Sequence, residues 1–435
     1  MDFTKHLADK TIVLGITGSI AAVRTIELAH ELIRRGATVQ AVMTEPAERI
    51  IHPDAIECAT GRAAITGWTG KVSWVEYCGG GGDRGGDGAS DSDCSGEDAR
   101  SADLLLIAPC TASTIGKIAH GIPDTLVSIF ATTALGAGVP VIAAPAMHEG
   151  MYNPIIRGNI EILRNQGVTI VGPIIEEGKA KIAPNDDIVR WAERALGGYA
   201  LSGIRILITG GATAEPIDPV RVITSRASGR MGAALAYEAF RRGADVTLVH
   251  RGKIGFAGIT EVYVETAEEM TCAVLDELGS GDGDSTGRGY DLLISAAAIS
   301  DYTLDPVNDK IRSDSQLTLD LRPARKLLEA VRDAYPDLAV VGFKLETAGG
   351  EALIERAKEA MERYGLFMVV ANTVASMGGD AGEVWIITEG EHNLIHAGGT
   401  KDAIADAVFD SVKQATGSAG GRGHECTEQN SLFGR

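Results

Sequence analysis

The sequence predicts an α/β protein with two doubly wound parallel sheets, one after the other along the chain. Short apolar runs alternate with helical patterns, and each run ends in a loop of small or polar residues, as in sheets built from βαβ units. The alternation begins near residue 11 and begins again near residue 200. We therefore expect domains at 1–190 and 191–415, followed by a disordered tail at 416–435.

The first domain is predicted from four apolar runs and one clear helical pattern. That pattern extends from Ile20 to Arg35 and stops at Gly36, because glycine commonly ends helices. A strand before it and a strand after it complete a βαβ unit. The predicted strands are 11–16, 37–43, 103–109 and 139–145.

The second domain repeats this organisation. Its first strand enters a glycine-rich turn, and a helix is predicted from Arg230 to Arg242. The predicted strands are 204–211, 245–250, 290–298, 338–343 and 367–372. Residues 79–102 and 279–289 are rich in Gly, Ser and Asp, so we expect both to be flexible loop insertions that lack the apolar content needed for order.

Charge and composition argue against several classes of protein. The net charge is −19, and no basic patch of the kind found in nucleic-acid binders is present. The N-terminus does not have the pattern of a signal peptide, and no apolar run reaches roughly 18 residues, so we expect a cytoplasmic protein without a membrane span. The six cysteines are scattered, which predicts free thiols, and no CxxC pair or His cluster suggests structural zinc.

The turn Thr17-Gly18-Ser19 lies between the first strand and the first helix. Backbone N–H groups at the start of a helix bind anions, and the Ser19 hydroxyl could donate a further hydrogen bond. The turn is not GxGxxG, so a mononucleotide is favoured over a dinucleotide. The alternative is that Ser19 only caps the helix.

A second candidate is His148, in the polar loop that follows the strand at 139–145. Ligands of open α/β sheets bind at the carboxyl ends of the strands. A lone histidine after a strand is nevertheless commonly structural. On position alone both interpretations stand.

Together these segments resemble FMN-dependent cysteine decarboxylases. The resemblance is carried by GITGSIAA, MTEPA, APCTASTIGKIAHGIPDT and PAMHEGMYNP. Over roughly residues 8–412 the chain is similar to the bifunctional phosphopantothenoylcysteine decarboxylase/phosphopantothenate–cysteine ligases, in their archaeal form. This implies a flavodoxin-like first domain, with FMN bound by Gly18, Ser19, Ile20, Thr44, Pro145 and Met147. Within this resemblance, His148 belongs to the segment that matches the family's substrate-side motif.

The chain departs from that family at Trp74, which stands where the family has a catalytic histidine. An indole cannot act as a base. His148 and His120 are candidates to replace it. The alternative hypothesis is an active ligase whose flavin domain has lost turnover and serves as a scaffold or regulator.

The second domain contains a run of cations beside a glycine-rich turn. TGGAT at 209–213 is followed by EPIDPVR and SRASGRMG, which supply Arg221, Arg226 and Arg230. Guanidinium groups and backbone donors suit a phosphorylated substrate with a carboxylate. Each piece could also be an ordinary structural loop. A third possibility, an NAD-type oxidoreductase, lacks a GxGxxG fingerprint.

These residues resemble the ligase half of the same family, as do SAAAISDY, DKIR and VGFKLET further along. The resemblance implies a Rossmann-like domain that joins 4′-phosphopantothenate to cysteine through an acyl-cytidylate, with CTP and Mg²⁺. The implied CTP and substrate residues are Gly211, Asp301, Lys310, Phe343, Arg221 and Arg230. Lys310 would also be catalytic, as would Ser225, which replaces the family's asparagine. Metal ligands stay unassigned, and a homo-oligomer is expected by resemblance.

Overall fold

The computed structural model describes residues 5–68, 72–79, 101–279, 289–312, 316–388 and 394–418. The chain divides into unit 1, Met1–Gly198, and unit 2, Tyr199–Arg435. Most of the two predicted insertions, at 80–100 and 280–288, lies outside the described residues, as does 419–435 of the predicted tail.

Unit 1 contains a parallel sheet and a small antiparallel sheet. Its strands are β1 (Thr11–Ile16), β2 (Thr38–Met43), β3 (Leu104–Cys110), β4 (Val141–Pro145), β5 (Met147–His148), β6 (Thr169–Ile170), β7 (Ile174–Glu176) and β8 (Lys179–Lys181). Its helices are α1 (Thr25–Arg34), α2 (Glu45–Glu48), α3 (Pro53–Thr60), α4 (Ser73–Cys78), α5 (Ala112–Ala119), α6 (Leu126–Ala137), α7 (Pro154–Asn165) and α8 (Asn185–Leu196). The parallel sheet has the order β2-β1-β3-β4-β6, and the antiparallel sheet β5-β8-β7.

The parallel sheet of unit 1 is covered on both faces. Along β1, Ile12, Leu14 and Ile16 join a core cluster with residues of α1, α3 and α8. Val13 belongs to a second cluster with residues of α5, α6 and α7. Because neighbouring side chains of a strand point to opposite faces, a strand covered on both sides is apolar throughout. This explains why the central strands could be predicted from the sequence.

Two boundaries in unit 1 differ from the predictions. The helical pattern at 20–35 forms a 3₁₀ helix, Ile20–Arg24, before α1 begins. The predicted domain boundary at residue 190 falls inside α8, whose Ile188, Val189 and Ala192 are buried in the first core cluster of unit 1. The boundary therefore follows this helix, because its apolar face packs on the first sheet.

Unit 2 is built around a larger, mixed sheet. Its strands are β9 (Arg205–Gly210), β10 (Ala214–Pro216), β11 (Val222–Thr224), β12 (Asp245–His250), β13 (Thr260–Tyr263), β14 (Leu292–Ser295), β15 (Tyr302–Thr303), β16 (Arg322–Pro323), β17 (Ala339–Glu346), β18 (Met368–Thr373), β19 (Ala381–Thr388) and β20 (Leu394–Thr400). Its helices are α9 (Arg230–Arg241), α10 (Ala267–Gly279), α11 (Leu327–Ala334), α12 (Glu351–Tyr364) and α13 (Lys401–Ser418). The main sheet has the order β13-β12-β9-β14-β17-β18-β19-β20.

The main sheet of unit 2 is parallel from β13 to β18, which confirms the α/β class. The antiparallel strands β19 and β20 extend it beyond β18 and were not predicted. Leu207, Leu293 and Val369 pack beneath α10, α11 and α12 on one face. The helix α13 packs on α9 and β19, and its first turns bury Ile404 and Phe409. The tail predicted from residue 416 thus begins within α13.

No helix in the described part of the chain is long and apolar enough to cross a membrane.

Candidate active sites

The predicted flavin residues of unit 1 follow the carboxyl ends of its parallel strands. The strand order reverses direction between β1 and β3, and such a switch point opens a crevice for ligands. The order β2-β1-β3-β4-β6 is the one in which flavodoxin-like proteins place FMN at the β1/β3 crevice. The turn at Gly18 follows β1 and therefore lies at this crevice.

The turn at Gly18 has no room for a side chain. A Cβ at this position would lie 2.4 Å from Cβ of Pro46, much closer than nonbonded carbon atoms approach. The Ser19 hydroxyl oxygen accepts a hydrogen bond of 3.4 Å from the backbone N–H of Ala21. Ser19 therefore caps the 3₁₀ helix, and its hydroxyl proton stays available to an anion.

The loop after β2 contacts the same turn. The Thr44 backbone N–H donates to the carbonyl oxygen of Ile16 at 3.1 Å, and Thr44 itself is buried. The hydroxyl of Thr17 donates to the Pro109 carbonyl oxygen at 2.7 Å and accepts from the Thr111 backbone N–H at 3.1 Å. Hydrogen bonds thus join the loops after β1, β2 and β3.

The motif at 145–148 lies beside this group of loops. The Ala146 backbone N–H donates to the Cys110 carbonyl oxygen at 3.0 Å, which ties the end of β4 to the end of β3. Met147 pairs with Ala180 and His148 with Lys179, so the motif forms a small sheet with the hairpin β7–β8. The His148 imidazole is exposed, and its Nδ1 accepts a hydrogen bond of 3.1 Å from the Gly150 backbone N–H.

Trp74 and His120 occupy different environments. Trp74 lies in the first turn of α4 and packs against the same core cluster as Met147. Its ring meets that of Trp68 edge to face, with centroids 5.5 Å apart. His120 lies 3.1 Å through Nε2 from Oδ1 of Asn159, so its imidazole has a structural partner. Both replacement bases proposed from the sequence are exposed, but His120 contacts a side chain of α7, whereas His148 accepts only from the backbone of its own loop.

In unit 2 a cavity of about 130 Å³ opens beside the switch point between β9 and β14. Gly211, Arg230 and Phe343 all line it, together with the backbone of Ala296–Ala298. The Ala298 backbone N–H donates to the Gly211 carbonyl oxygen at 2.8 Å. We call this space the ligase cavity. Three of the predicted nucleotide residues therefore meet there.

Glycines let helix α9 approach strand β9 at this cavity. A Cβ on Gly232 would lie 2.7 Å from Cα of Gly210, and one on Gly229 would lie 3.2 Å from Cα of Gly211. Gly229 also has φ of 78° at the start of α9, a conformation that favours glycine. Close packing of α9 on β9 therefore requires the two glycines of the SRASGRMG segment.

Arg221 and Lys310 belong to neighbouring segments. Asp218 forms an ion pair of 2.6 Å with Arg221, and the guanidinium of Arg221 also donates to the Ile311 carbonyl oxygen at 3.0 Å. Burial of Asp218 acts to raise its pKa, but hydrogen bonds from the backbone N–H groups of Val220, Ile311 and Arg221 lower it to about 2. Lys310 is exposed and does not line the ligase cavity.

Asp301 also lies outside the residues that line this cavity. Its carboxylate forms an ion pair with Lys326, and its carbonyl oxygen accepts a hydrogen bond of 2.9 Å from the Ala324 backbone N–H. Ser225 is exposed, and its hydroxyl oxygen accepts from the Ala227 backbone N–H at 3.3 Å. Arg230 is paired with Asp380 at 2.6 Å.

One residue of the ligase cavity was missed from the sequence. Lys401 lines it from the start of α13, and its Nζ donates to the Ser376 carbonyl oxygen at 3.0 Å. Burial lowers the pKa of its ammonium group, against the opposing charge of Asp380. No motif surrounds Lys401 in the sequence, so only the fold could reveal its position.

Comparison with known proteins matches both halves of the chain to families. Residues 2–196 match the family described as Flavoprotein. Residues 201–416 match the DNA/pantothenate metabolism flavoprotein C-terminal domain. Over 94% of this chain and 96% of the relative, the sequence is 42% identical to the coenzyme A biosynthesis bifunctional protein CoaBC of Thermococcus kodakarensis. The chain belongs to the CoaBC family.

Further CoaBC relatives agree over nearly the whole length. The CoaBC protein of Methanocaldococcus jannaschii is 34% identical, with 94% of this chain and 95% of that protein covered. That of Vibrio cholerae is 33% identical, with 94% and 99% covered. Among solved structures, a CoaBC C-terminal domain covers 51% of this chain and 99% of its own at 27% identity and a TM-score of 0.42. The FMN-dependent cysteine decarboxylase SpaF covers 43% and 99% at 27% identity and a TM-score of 0.34.

Proposed function

We propose that the chain makes 4′-phosphopantetheine from 4′-phosphopantothenate in two steps of coenzyme A biosynthesis. The ligase half joins cysteine to the acid at the expense of CTP, and the flavin half removes CO₂ from phosphopantothenoylcysteine. The observation that carries the proposal is membership of a bifunctional family over 94% of the chain. One domain would thus supply each step.

The first domain matches the Flavoprotein family and binds the flavin in this proposal. The flavin phosphate would lie at the turn that contains Gly18. A Cβ at Gly18 would lie 2.4 Å from Cβ of Pro46, so glycine at this position lets the loop after β2 pack closely against the turn. We propose that Gly18, Ser19 and Ile20 supply N–H and hydroxyl donors to the phosphate, with Thr44, Pro145 and Met147 nearby. Bound FMN would supply reversible hydride transfer at the cysteinyl end of the substrate.

His148 is the residue we propose to move a proton in the decarboxylase half. The geometry leaves its imidazole exposed at the end of β5, while His120 is held by Asn159. A histidine titrates near neutral pH and can both accept and donate a proton. Trp74 would then shape the pocket as an aromatic wall, since an indole offers only a donor.

The ligase half is proposed to hold CTP in the ligase cavity. Backbone donors at Gly211 and the guanidinium of Arg230 would bind phosphates, and Phe343 would contact the base. Asp301 is proposed to bind the nucleotide sugar or base. Lys310 would stabilise charge that develops on the triphosphate, while Arg221 would bind the acid substrate. These roles require the exposed loop of Lys310 to reach the bound nucleotide.

Ser225 replaces the family's asparagine in the segment proposed to handle the acyl-cytidylate. Its hydroxyl oxygen already accepts from the Ala227 backbone N–H, so its proton would be directed at the substrate. Mg²⁺ is proposed to arrive with the triphosphate, because this ion is commonly bound by substrate phosphates and few protein carboxylates. Within the described residues no group of three or more His, Cys, Asp and Glu side chains could hold a metal ion.

The assembly and the compartment are also proposals. Ile20 and Val23 are 78% and 52% exposed beside the flavin turn, and an apolar surface there suits contact between copies of the chain. We propose a homo-oligomer. The four cysteines within the described ranges are free thiols, which suits the reducing cytoplasm.

The alternative, a flavin domain that has lost turnover, is not favoured, because the relatives that match both halves are bifunctional proteins. The test uses the purified full-length chain. We expect the visible absorption of bound flavin, CO₂ release from phosphopantothenoylcysteine, and pyrophosphate release that requires CTP, cysteine and 4′-phosphopantothenate together. A coloured protein that ligates but releases no CO₂ would support the scaffold alternative. A colourless protein that does neither would contradict the proposal.

A further inference from the structure

A second and larger cavity lies in unit 2, across a glycine wall from the ligase cavity. Its volume is about 440 Å³. It opens at the carboxyl ends of β9, β12 and β13, and its lining includes His250, Arg251, Lys253 and Tyr263. We call it the β12 cavity. Apart from Gly211 and Arg230, which line both cavities, no residue with a role in the proposed ligase reaction lines it.

The wall between the cavities is made by Gly211 and Gly229, which line both. A Cβ on Gly229 would lie 3.2 Å from Cα of Gly211, so the two backbones are in contact. Arg230 also lines both cavities. Its guanidinium forms an ion pair with Asp380, which lies close in sequence to Gly378 of the ligase cavity. Ala227 and Ser228 line both cavities as well, and the remaining lining residues differ.

The β12 cavity is cationic on a strongly acidic chain. Arg230, Arg251 and Lys253 line it, and Glu265 is the one carboxylate among its lining residues. Across the described ranges, neither Arg251 nor Lys253 has an ion-pair partner. The whole chain has a net charge of −19, yet this cavity contains two cations, Arg251 and Lys253, that are not neutralised by an ion pair. Such a group attracts an anionic ligand.

Glu261, an acid in contact with the lining residue His250, is already hydrogen-bonded. Glu261 lies 2.9 Å through Oε2 from Nε2 of the buried His250. It also accepts hydrogen bonds of 2.7 Å from the backbone N–H groups of Ile254 and Gly255. The Glu261 carboxylate therefore holds the loop after β12 through these hydrogen bonds. That loop presents Arg251 and Lys253 to the cavity.

The position of these cations in the sheet indicates the class of ligand. β9, β12 and β13 are the first three parallel strands of a sheet ordered 3-2-1-4. In Rossmann-like sheets the nucleotide ribose lies at the end of the second strand, where an acid binds a free hydroxyl and an arginine accommodates a ribose phosphate. Here the second strand, β12, ends in His250 followed by Arg251. The chemistry at this position is that of a phosphate site.

We propose that the β12 cavity binds a nucleotide whose ribose carries a phosphate monoester. Arg251 and Lys253 bind that phosphate, and the exposed ring of Tyr263 covers the base. CTP has no ribose phosphate monoester at its 2′ or 3′ position, so this ligand is distinct from the ligase substrate. The site gives unit 2 a second nucleotide, in addition to the one in the ligase cavity.

The test measures binding by titration calorimetry on the full-length chain in saturating CTP and Mg²⁺. The probes are adenosine 2′,5′-bisphosphate and adenosine 3′,5′-bisphosphate, and AMP is the matched ligand without a ribose phosphate. We expect one bisphosphate to bind per chain, at least about tenfold more tightly than AMP, because one charge-assisted phosphate contact is added. The preferred isomer identifies which ribose hydroxyl carries the phosphate.

Variants locate the binding. The double substitution Arg251→Gln and Lys253→Gln should weaken bisphosphate binding at least about tenfold and leave CTP-dependent ligation unchanged. Lys358→Gln removes a cation from α12, outside both cavities, and should change neither. Three results would overturn the proposal: no bisphosphate binding beyond that of AMP, displacement of the bisphosphate by CTP, or unchanged binding in the double variant with native thermal unfolding.

Discussion

The carboxylate of Asp218 accepts a hydrogen bond of 3.1 Å from the backbone N–H of Ile311, the residue that follows Lys310. It also accepts bonds of 2.8 Å from the backbone N–H groups of Val220 and Arg221. Arg221 donates in turn to the carbonyl oxygen of Ile311. One buried carboxylate thus fastens the loop of the proposed catalytic lysine to the EPIDPVR turn.

Asp218→Asn should impair ligation by loosening this loop. The amide keeps one acceptor but turns an NH₂ group toward backbone donors, so at least one of these bonds is lost. We expect the ligase kcat to fall about tenfold, the scale of one hydrogen bond to a charged group. CO₂ release by the flavin half should not change. Asp305→Asn removes an exposed ion pair with Arg322 in the same segment and should have little effect.

The titration of Asp218 provides an independent check. Its pKa is lowered from 3.8 to about 2, so the folded state prefers the charged carboxylate. Its contribution to stability is present above the unfolded pKa near 3.8 and is lost as the pH falls toward 2. The carboxyl carbon resonance of Asp218 should therefore titrate well below the ordinary aspartate pKa of 3.8. A midpoint near the ordinary aspartate value would mean that the bond to Ile311 is absent in solution.

Gly18→Ala should remove flavin from the first domain. The added methyl group would lie 2.4 Å from Cβ of Pro46, and such overpacking costs about 1–3 kcal/mol. If that cost is confined to the binding turn, FMN binds about ten- to hundredfold less tightly. The measurement is the ratio of visible flavin absorption to protein. Gly158→Ala, in α7 with no atom near the new Cβ, should retain its flavin, and equal loss in both variants would contradict the role of the turn.

The sequence predicted those parts of the fold whose residues are buried on both sides. β1 and β12 were predicted with the bounds they have, because apolar residues predominate in strands that are covered on two faces. β19 and β20 were missed, since polar residues and glycines interrupt both. Their pairing with β18 depends on sheet position, which periodicity does not encode.

The site was predictable only where a motif contains the residues. The glycines at 18 and 211 follow predicted strands and could be identified as turns. The bond between Asp218 and Ile311 joins residues 93 positions apart, and no spacing rule would pair them. The β12 cavity likewise needs three strands to be adjacent before its cations meet.

Trp74→His tests the departure from the family in the decarboxylase half. We expect faster CO₂ release, and a pH profile with an added limb near pH 6.5, the ordinary histidine pKa. Trp68→His makes the same change in the neighbouring ring, 5.5 Å away, at a position without a matching family residue. Its rate should not rise. If CO₂ release changes equally in the two variants, a histidine at position 74 does not act as a base in this site.

Lys401→Met separates ligand binding from stability in the ligase cavity. Burial lowers the pKa of Lys401, which means that folding disfavours its charged form. A cation kept in a cavity at such a cost is expected to have an anionic ligand, and here that ligand would be the triphosphate. We expect the KM for CTP to rise about tenfold, while the melting temperature stays the same or increases because methionine fills similar space without a charge. Lys358→Met, on the surface of α12, should alter neither quantity. A lower melting temperature with an unchanged KM would instead assign Lys401 to holding the Ser376 carbonyl, its hydrogen-bond partner at 3.0 Å.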